Sequence, residues 1–338
     1  MAAANRARAP STGTKAALLA MLVGCAAGCA TATGPAGATE GPHLRNAPDD
    51  SEPSRVVPLG PETVVELDVV QLRNNPWSRP LVTGMAPDDR QARAAAQGFD
   101  DITDVDHLAL AVTEVPGGEP MVLTVSQGRF SQERVAGAFA GGGPPLPPVP
   151  WRGSPLWQRG DRAIAFVTPR TLISGQVAAV RAAIDCAYGV VPDVWSGELG
   201  TLRRALDVAR GRPALRAVAT VSDGMRQRVG GDFAVPPGLR RVAARLDLGG
   251  PLDVVALGTF DDPRQASMAA RALDQQLGEL RRRPVLRILG LSPLLDQASV
   301  SPQGSRVTAE LHLGEDKRED LSQRVGLILE ALIKARSR

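Results

Sequence analysis

Alternating apolar and polar residues mark out short strands along this chain. Leu108, Leu110 and Val112 recur at every second position, and so do Met121, Leu123 and Val125. Each set lines one side of a strand. Gly117 and Gly118 lie between them and permit the positive φ of a tight hairpin. Gly128-Arg129-Phe130 follows, then Ser131, a residue suited to cap a helix. The same order returns from 241 to 273: a strand, Gly249-Gly250, a second strand, Gly258-Thr259-Phe260, and then Asp261 and Asp262 before Pro263, which suits a first helical position. The spacing predicts a helix over 264–280 with Ala269, Leu273, Leu277 and Leu280 on one face.

The flanks repeat as well. Segments 62–72 and 214–225 each read as a strand running into a helix. Segments 154–184 and 298–329 each read as a hairpin ending in a helix, with turns at Gly160-Asp161 and Gln303-Gly304. The first copy carries an extra strand, TLISG. Leu321, Val325, Ile328, Leu329 and Leu332 form the stripe of the last helix. A helix near 199–210, with Leu202, Ala205, Leu206 and Ala209 inward, joins the copies.

The expected class is α+β, with the order β-α-β-β-α-β-(β)-α in each copy. That order resembles an elaborated ferredoxin-like, split βαβ unit. The expected architecture is two tandem ferredoxin-like repeats with antiparallel sheets and helices packed on one face. The expected segments are 1–24 as a signal peptide, 25–57 as a flexible lipid-anchored tether, 58–195 as the first repeat and 196–338 as the second.

The N-terminal assignment rests on residue order. Arg6, Arg8 and Lys15 precede the apolar stretch AALLAMLV, which is followed by Gly24 and Cys25. That is the grammar of a signal peptide. LVGC resembles the lipobox of bacterial lipoproteins. The resemblance implies a diacylglycerol on the Cys25 thiol and cleavage that leaves Cys25 as the new N-terminus. AAGC, ending at Cys29, is the second choice; Ala26 stands where the box prefers Leu. Ala26 rather than Asp after Cys25 implies, by the proteobacterial sorting rule, the periplasmic side of the outer membrane in a Gram-negative bacterium. Multiple acyl chains would make a stable anchor. Residues 26–56 lack apolar periodicity and are rich in Ala, Gly, Pro and Thr, which fits a tether.

Charge narrows the partners. The chain has 39 basic and 36 acidic side chains, a net +3. Arg6, Arg8 and Lys15 supply that excess, and no acid occurs in the first 24 residues, so 36 of each sign remain. A neutral body has no general attraction for nucleic acid. The expected partners are the membrane, through the acyl chains, and an envelope protein or apolar ligand.

Chemistry-bearing motifs are sparse. His107 and His312 fall in strands of different copies, His43 in the tether, and no G-x-S-x-G elbow is present. Asp101, Asp104, Asp106 and His107 form the candidate metal set. Their spacing does not match an EF-hand loop; the preferred reading is a helix ending near Gly98, then an Asp-rich turn. Cys186 is expected as a buried thiol. GGGPPLPPVP (141–150) is read as an extended loop, and Val285, Leu286, Ile288 and Leu289 as packing on a sheet. No cofactor, metal or catalytic residue is assigned. The functional expectation is a non-catalytic, membrane-tethered periplasmic binding protein; the alternatives are a carrier of a lipid or other apolar ligand, and a hydrolase.

Overall fold

The computed structural model describes residues 52–76, 78–79, 87–115, 117–141, 143–207, 212–229, 235–284 and 292–314. The signal segment, His43, Cys25, Cys29, Ala209, residues 285–289 and the last expected helix lie outside them.

The described residues open with a 3₁₀ turn, Pro53–Val56. They continue through β1 (Thr63–Asp68), α1 (Val69–Asn74), α2 (Pro87–Gln97), β2 (Val105–Thr113), β3 (Met121–Gly128) and α3 (Gln132–Phe139). Next come β4 (Val149–Trp151), β5 (Ser154–Arg159), β6 (Arg162–Thr168), β7 (Thr171–Gln176), α4 (Val177–Ala187) and α5 (Glu198–Leu206). The rest is β8 (Leu215–Thr220), α6 (Asp223–Val229), β9 (Leu239–Asp247), β10 (Leu252–Phe260), α7 (Pro263–Arg282), α8 (Ser292–Leu295), β11 (Ala298–Gln303) and β12 (Arg306–Leu313). The class is α+β.

All these strands join one antiparallel sheet of twelve, ordered β11-β12-β10-β9-β8-β1-β2-β3-β7-β6-β5-β4. The expectation of separate sheets is corrected by the β1–β8 pair, which runs from Thr63↔Ala219 to Leu67↔Leu215 and joins the two halves of the chain in one sheet. A split βαβ unit places another strand between the two that flank its helix. Here β1 pairs directly with β2.

Outward from the β1–β8 seam the order is the same on both sides: β1-β2-β3-β7-β6 and β8-β9-β10-β12-β11. This corrects the equivalence read from the turns. Gly160 and Gly304 have φ of 59° and 58° and make matching turns. By sheet position, however, β6–β7 corresponds to β11–β12. TLISG lies in β7, the counterpart of β12, and among the described residues the strands with no counterpart are β4 and β5.

Helices pack on both faces, not one. On the front, Val64, Ala109, Ala111, Val125, Ala163, Ile173, Val218 and Ala243 share a cluster with Val180 and Ile184 of α4 and Leu199, Leu202 and Leu206 of α5. On the back, Val135 and Ala136 of α3 meet Trp157, Ile164 and Phe166. Farther along the back, Ala266, Ala269 and Ala270 of α7 meet Phe260 and Val307. The two alternating sets read from β2 and β3 therefore face opposite ways. Ala111 pairs with Leu123 on the front, and Leu110 pairs with Thr124 on the back. In β2 the buried residues are Val105, His107, Ala109 and Ala111, not the set Leu108, Leu110 and Val112. In α7 Ala269 is buried as expected, whereas Leu273 is exposed.

The tether boundary at residue 57 also moves. Pro53, Ser54, Val56 and Val57 are buried in the front layer, so the packed body begins before residue 57.

Caps follow the sequence. Ser131 Oγ accepts from Arg134 N, and Asp262 Oδ1 accepts from Arg264 N and Gln265 N. Gly98 ends α2 at φ +80°, and a Cβ there would stand 2.4 Å from the Arg134 carbonyl oxygen. We expect Gly98→Ala to cost roughly 2–3 kcal/mol in urea unfolding. Gly160→Ala, with a similar φ but open space around it, should cost about 1 kcal/mol, the backbone strain alone.

Candidate functional site

A cavity of about 380 Å³ opens on the front face where the seam strands end. Its floor is β1, β2, β8 and β9, and its walls are α5, the residues entering β8, and Glu52 and Pro53. Among the described residues, four guanidiniums line it, Arg203, Arg212, Arg216 and Arg245, together with four carboxylates, Glu52, Glu66, Asp68 and Asp207. That volume is at the lower end of the range for small-molecule sites, roughly 300–1,000 Å³.

Strand alternation aims these groups at one space. Val64 faces the front core, so Glu66 and Asp68 face the same way. Val218 and Ala243 are front residues, so Arg216 and Arg245 are too. Arg216 donates from Nη1 to Glu66 Oε2 and from Nη2 to Asp207 Oδ1, both at 2.6 Å. Arg245 forks onto Asp247 at 2.5 and 2.9 Å and reaches Asp207 Oδ1 at 3.4 Å. Arg203 donates to Glu52 Oε1 at 2.9 Å, lies 3.8 Å from Asp207 Oδ2, and stacks over the Trp195 ring.

A second chain of bonds ties the entering segment to this network. Trp195 Nε1 donates to Ser54 Oγ at 2.9 Å, and Ser54 donates to Glu66 Oε1. Burial works to raise the Glu52 carboxyl, but hydrogen bonds and charge from Arg55 and Arg203 outweigh it and hold the group below its usual range. Burial works against the Arg216 charge, yet Glu66 and Asp207 overcome it and raise its pKa further.

His107 lies beside this network. Its Nδ1 is 3.7 Å from Asp68 Oδ1, beyond hydrogen-bond range. Burial, then the Arg212 charge, pushes the imidazole pKa down, against Asp68 and Asp106. Asp68 is already occupied: it caps α1 through Gln71 N at 2.9 Å and lies 3.3 Å from Arg212.

The rest of the candidate metal set is spread among other partners. Asp101 is 3.6 Å from Arg93, Asp104 Oδ2 accepts from Asp100 N, and Asp106 sits between Arg73 and Arg170, each at 3.0 Å. Among the described residues, no group of three or more His, Cys, Asp or Glu side chains is arranged to hold a metal ion. His312 is exposed on β12, and its Nδ1 meets Asp253 at 2.7 Å, which raises its pKa. The Cys186 thiol is buried in α4 and faces the Arg55 and Val57 carbonyls at 3.5 and 3.7 Å. Of the loop expected over 141–150, residues 143–148 are irregular, whereas Val149 and Pro150 already belong to β4.

The sequence reading missed this convergence. Its signal was charge at the inward phase of apolar strands: Glu66 and Asp68 after Val64, Arg216 before Val218, Arg245 after Ala243.

No family model matches the chain, and no curated protein matches it. Solved structures of TP0453 in crystal forms III, I and IV are similar at 11%, 10% and 10% identity, with TM-scores of 0.44, 0.43 and 0.44. They cover 81% of this chain and 97%, 96% and 96% of theirs. A likeness of that depth assigns no activity.

The Arg216–Glu66 pair is largely buried, with side chains 10% and 13% exposed. Arg216→Met should therefore cost about 3 kcal/mol, because it strands a buried carboxylate. Adding Glu66→Gln should recover a substantial part of that loss. A double-mutant cycle from urea unfolding measures the coupling.

Proposed function

We propose that this chain is a lipid-anchored envelope protein on the periplasmic side of the outer membrane, and that its body is a non-catalytic binding module with its site in the seam cleft. One observation carries the binding part of the reading: charged side chains from β1, β8, β9 and α5 converge on a concave space between the two copies. Concavity with a few fixed polar groups is the general form of a ligand site. The charged lining favours a polar ligand over apolar cargo.

The anchoring part rests on the resemblance of LVGC to a lipobox. Residues 26–51 would then form the tether, which enters the body at Glu52, on the cleft wall. A flexible chain of that length has a root-mean-square reach of about 28 Å. The cleft would therefore stay close to the membrane surface. The matching strand order on the two sides of the seam supports a duplicated origin for the body, with repeats over 58–195 and 196–338.

Cys25→Ser should leave an unprocessed, unacylated precursor, read from the mass of the N-terminal peptide; normal acylation of that variant would remove Cys25 as the anchor. Native mass spectrometry of the processed protein, released gently from membranes, tests the binding module. A bound small polar molecule is expected in the wild type and should be absent from Arg203→Ala. An unliganded mass in both would refute the binding module while leaving the anchor intact.

A further inference from the structure

Asp207 is shared in a way that its own helix does not explain. It is the C-cap of α5, where the helix presents the negative end of its dipole. A carboxylate is electrostatically disfavoured there, and a cation would suit the position better. What holds Asp207 is a set of three guanidiniums: Arg216 at 2.6 Å, Arg245 at 3.4 Å and Arg203 at 3.8 Å.

Each of the three has its own orienting carboxylate on another side. Arg216 is held by Glu66, Arg245 by Asp247 and Arg203 by Glu52. The guanidiniums are therefore fixed without Asp207. They are also shielded, with side chains 10%, 1% and 12% exposed, whereas the Asp207 side chain is 36% exposed at the cleft edge. Arg216 Nε is also buried with no hydrogen-bond partner among the described residues.

We propose that Arg203, Arg216 and Arg245 form an oxyanion cradle in the seam cleft, and that the Asp207 carboxylate occupies it as an internal stand-in for the ligand. The ligand class is a carboxylate or phosphate group, which accepts paired N–H bonds from guanidinium forks. Its binding moves Asp207 aside, towards solvent, and leaves Glu66, Asp247 and Glu52 on their arginines. The proposal rests on the binding reading above and makes it more specific. It also assigns Asp207 a regulatory role: the built-in carboxylate sets the threshold an external anion must exceed.

The test compares the processed wild type with Asp207→Asn in thermal unfolding. Sodium phosphate, sodium acetate and sodium chloride are titrated at matched ionic strength. Asp207→Asn is expected to be destabilised in chloride and rescued saturably by phosphate or acetate, with an apparent affinity at least tenfold tighter than the wild type's. The saturable response should disappear in Asp207→Asn/Arg245→Met. An equal anion response in wild type and Asp207→Asn, or an unchanged response in the double variant, would overturn the cradle.

If Asp207→Asn does not fold, isothermal titration of the wild type and Arg203→Met with phosphate replaces it. Loss of binding in Arg203→Met supports the cradle, and equal or absent binding in both overturns it. Phosphatidylglycerol vesicles run beside soluble phosphate separate a lipid headgroup from a free ion, and a response to neither refutes the proposal. A polar adduct in the native mass spectrum with no oxyanion response would reject the cradle and keep the binding module.

Discussion

The pairing of β1 with β8 is the constraint on which the rest of this structure depends. Without it there would be two smaller sheets, each with an exposed inner edge of unpaired backbone groups. With it, five backbone-paired positions from Thr63↔Ala219 to Leu67↔Leu215 merge them into one sheet. The pairing also fixes which side chains meet. Glu66 lies directly opposite Arg216 in this register, and Arg216 lies opposite Arg245 on β9. A one-residue slip would send Glu66 to the other face and remove the carboxylate from the cleft.

Charge at the seam has two consequences of opposite sign. Desolvating ion pairs is costly, and a hydrophobic replacement of similar shape is often as stable or more so. The pairs here are therefore poorly explained as stabilisers alone. Their geometry accounts for them better: each arginine is oriented by one carboxylate and turns another side towards Asp207. Three cations fixed around one space would need little further ordering to bind an anion, because their ordering has been completed during folding. The segment leading in from the N-terminus takes part through Glu52, Ser54 and Trp195, so the cleft wall and the expected anchor lie on continuous chain.

Local features of the fold were legible in the sequence and non-local ones were not. The Gly160 and Gly304 turns, the caps at Ser131 and Asp262, and the helix stop at Gly98 each depend on a few adjacent residues. Strand order is set by contacts far apart in sequence, so matching hairpins by their turns paired β5–β6 with β11–β12, when position pairs β6–β7 with them. Two helix faces escaped notice for the same reason, since alternation shows that a strand has two sides but not what covers each. The site residues extend from Glu52 to Asp247 and form no compact motif. What was visible was an anomaly, charged residues at inward positions of Val- and Ala-rich strands, and only the register turned that anomaly into a cleft.

The most direct measurement is a crystal structure of the protein grown with saturating phosphate. The expected result is a tetrahedral anion bonded to Arg203, Arg216 and Arg245, with the Asp207 carboxylate turned out of the cradle and Glu66, Asp247 and Glu52 still on their arginines. A cradle still filled by Asp207, with phosphate bound elsewhere or not at all, would contradict the assignment of the seam cleft as an oxyanion site.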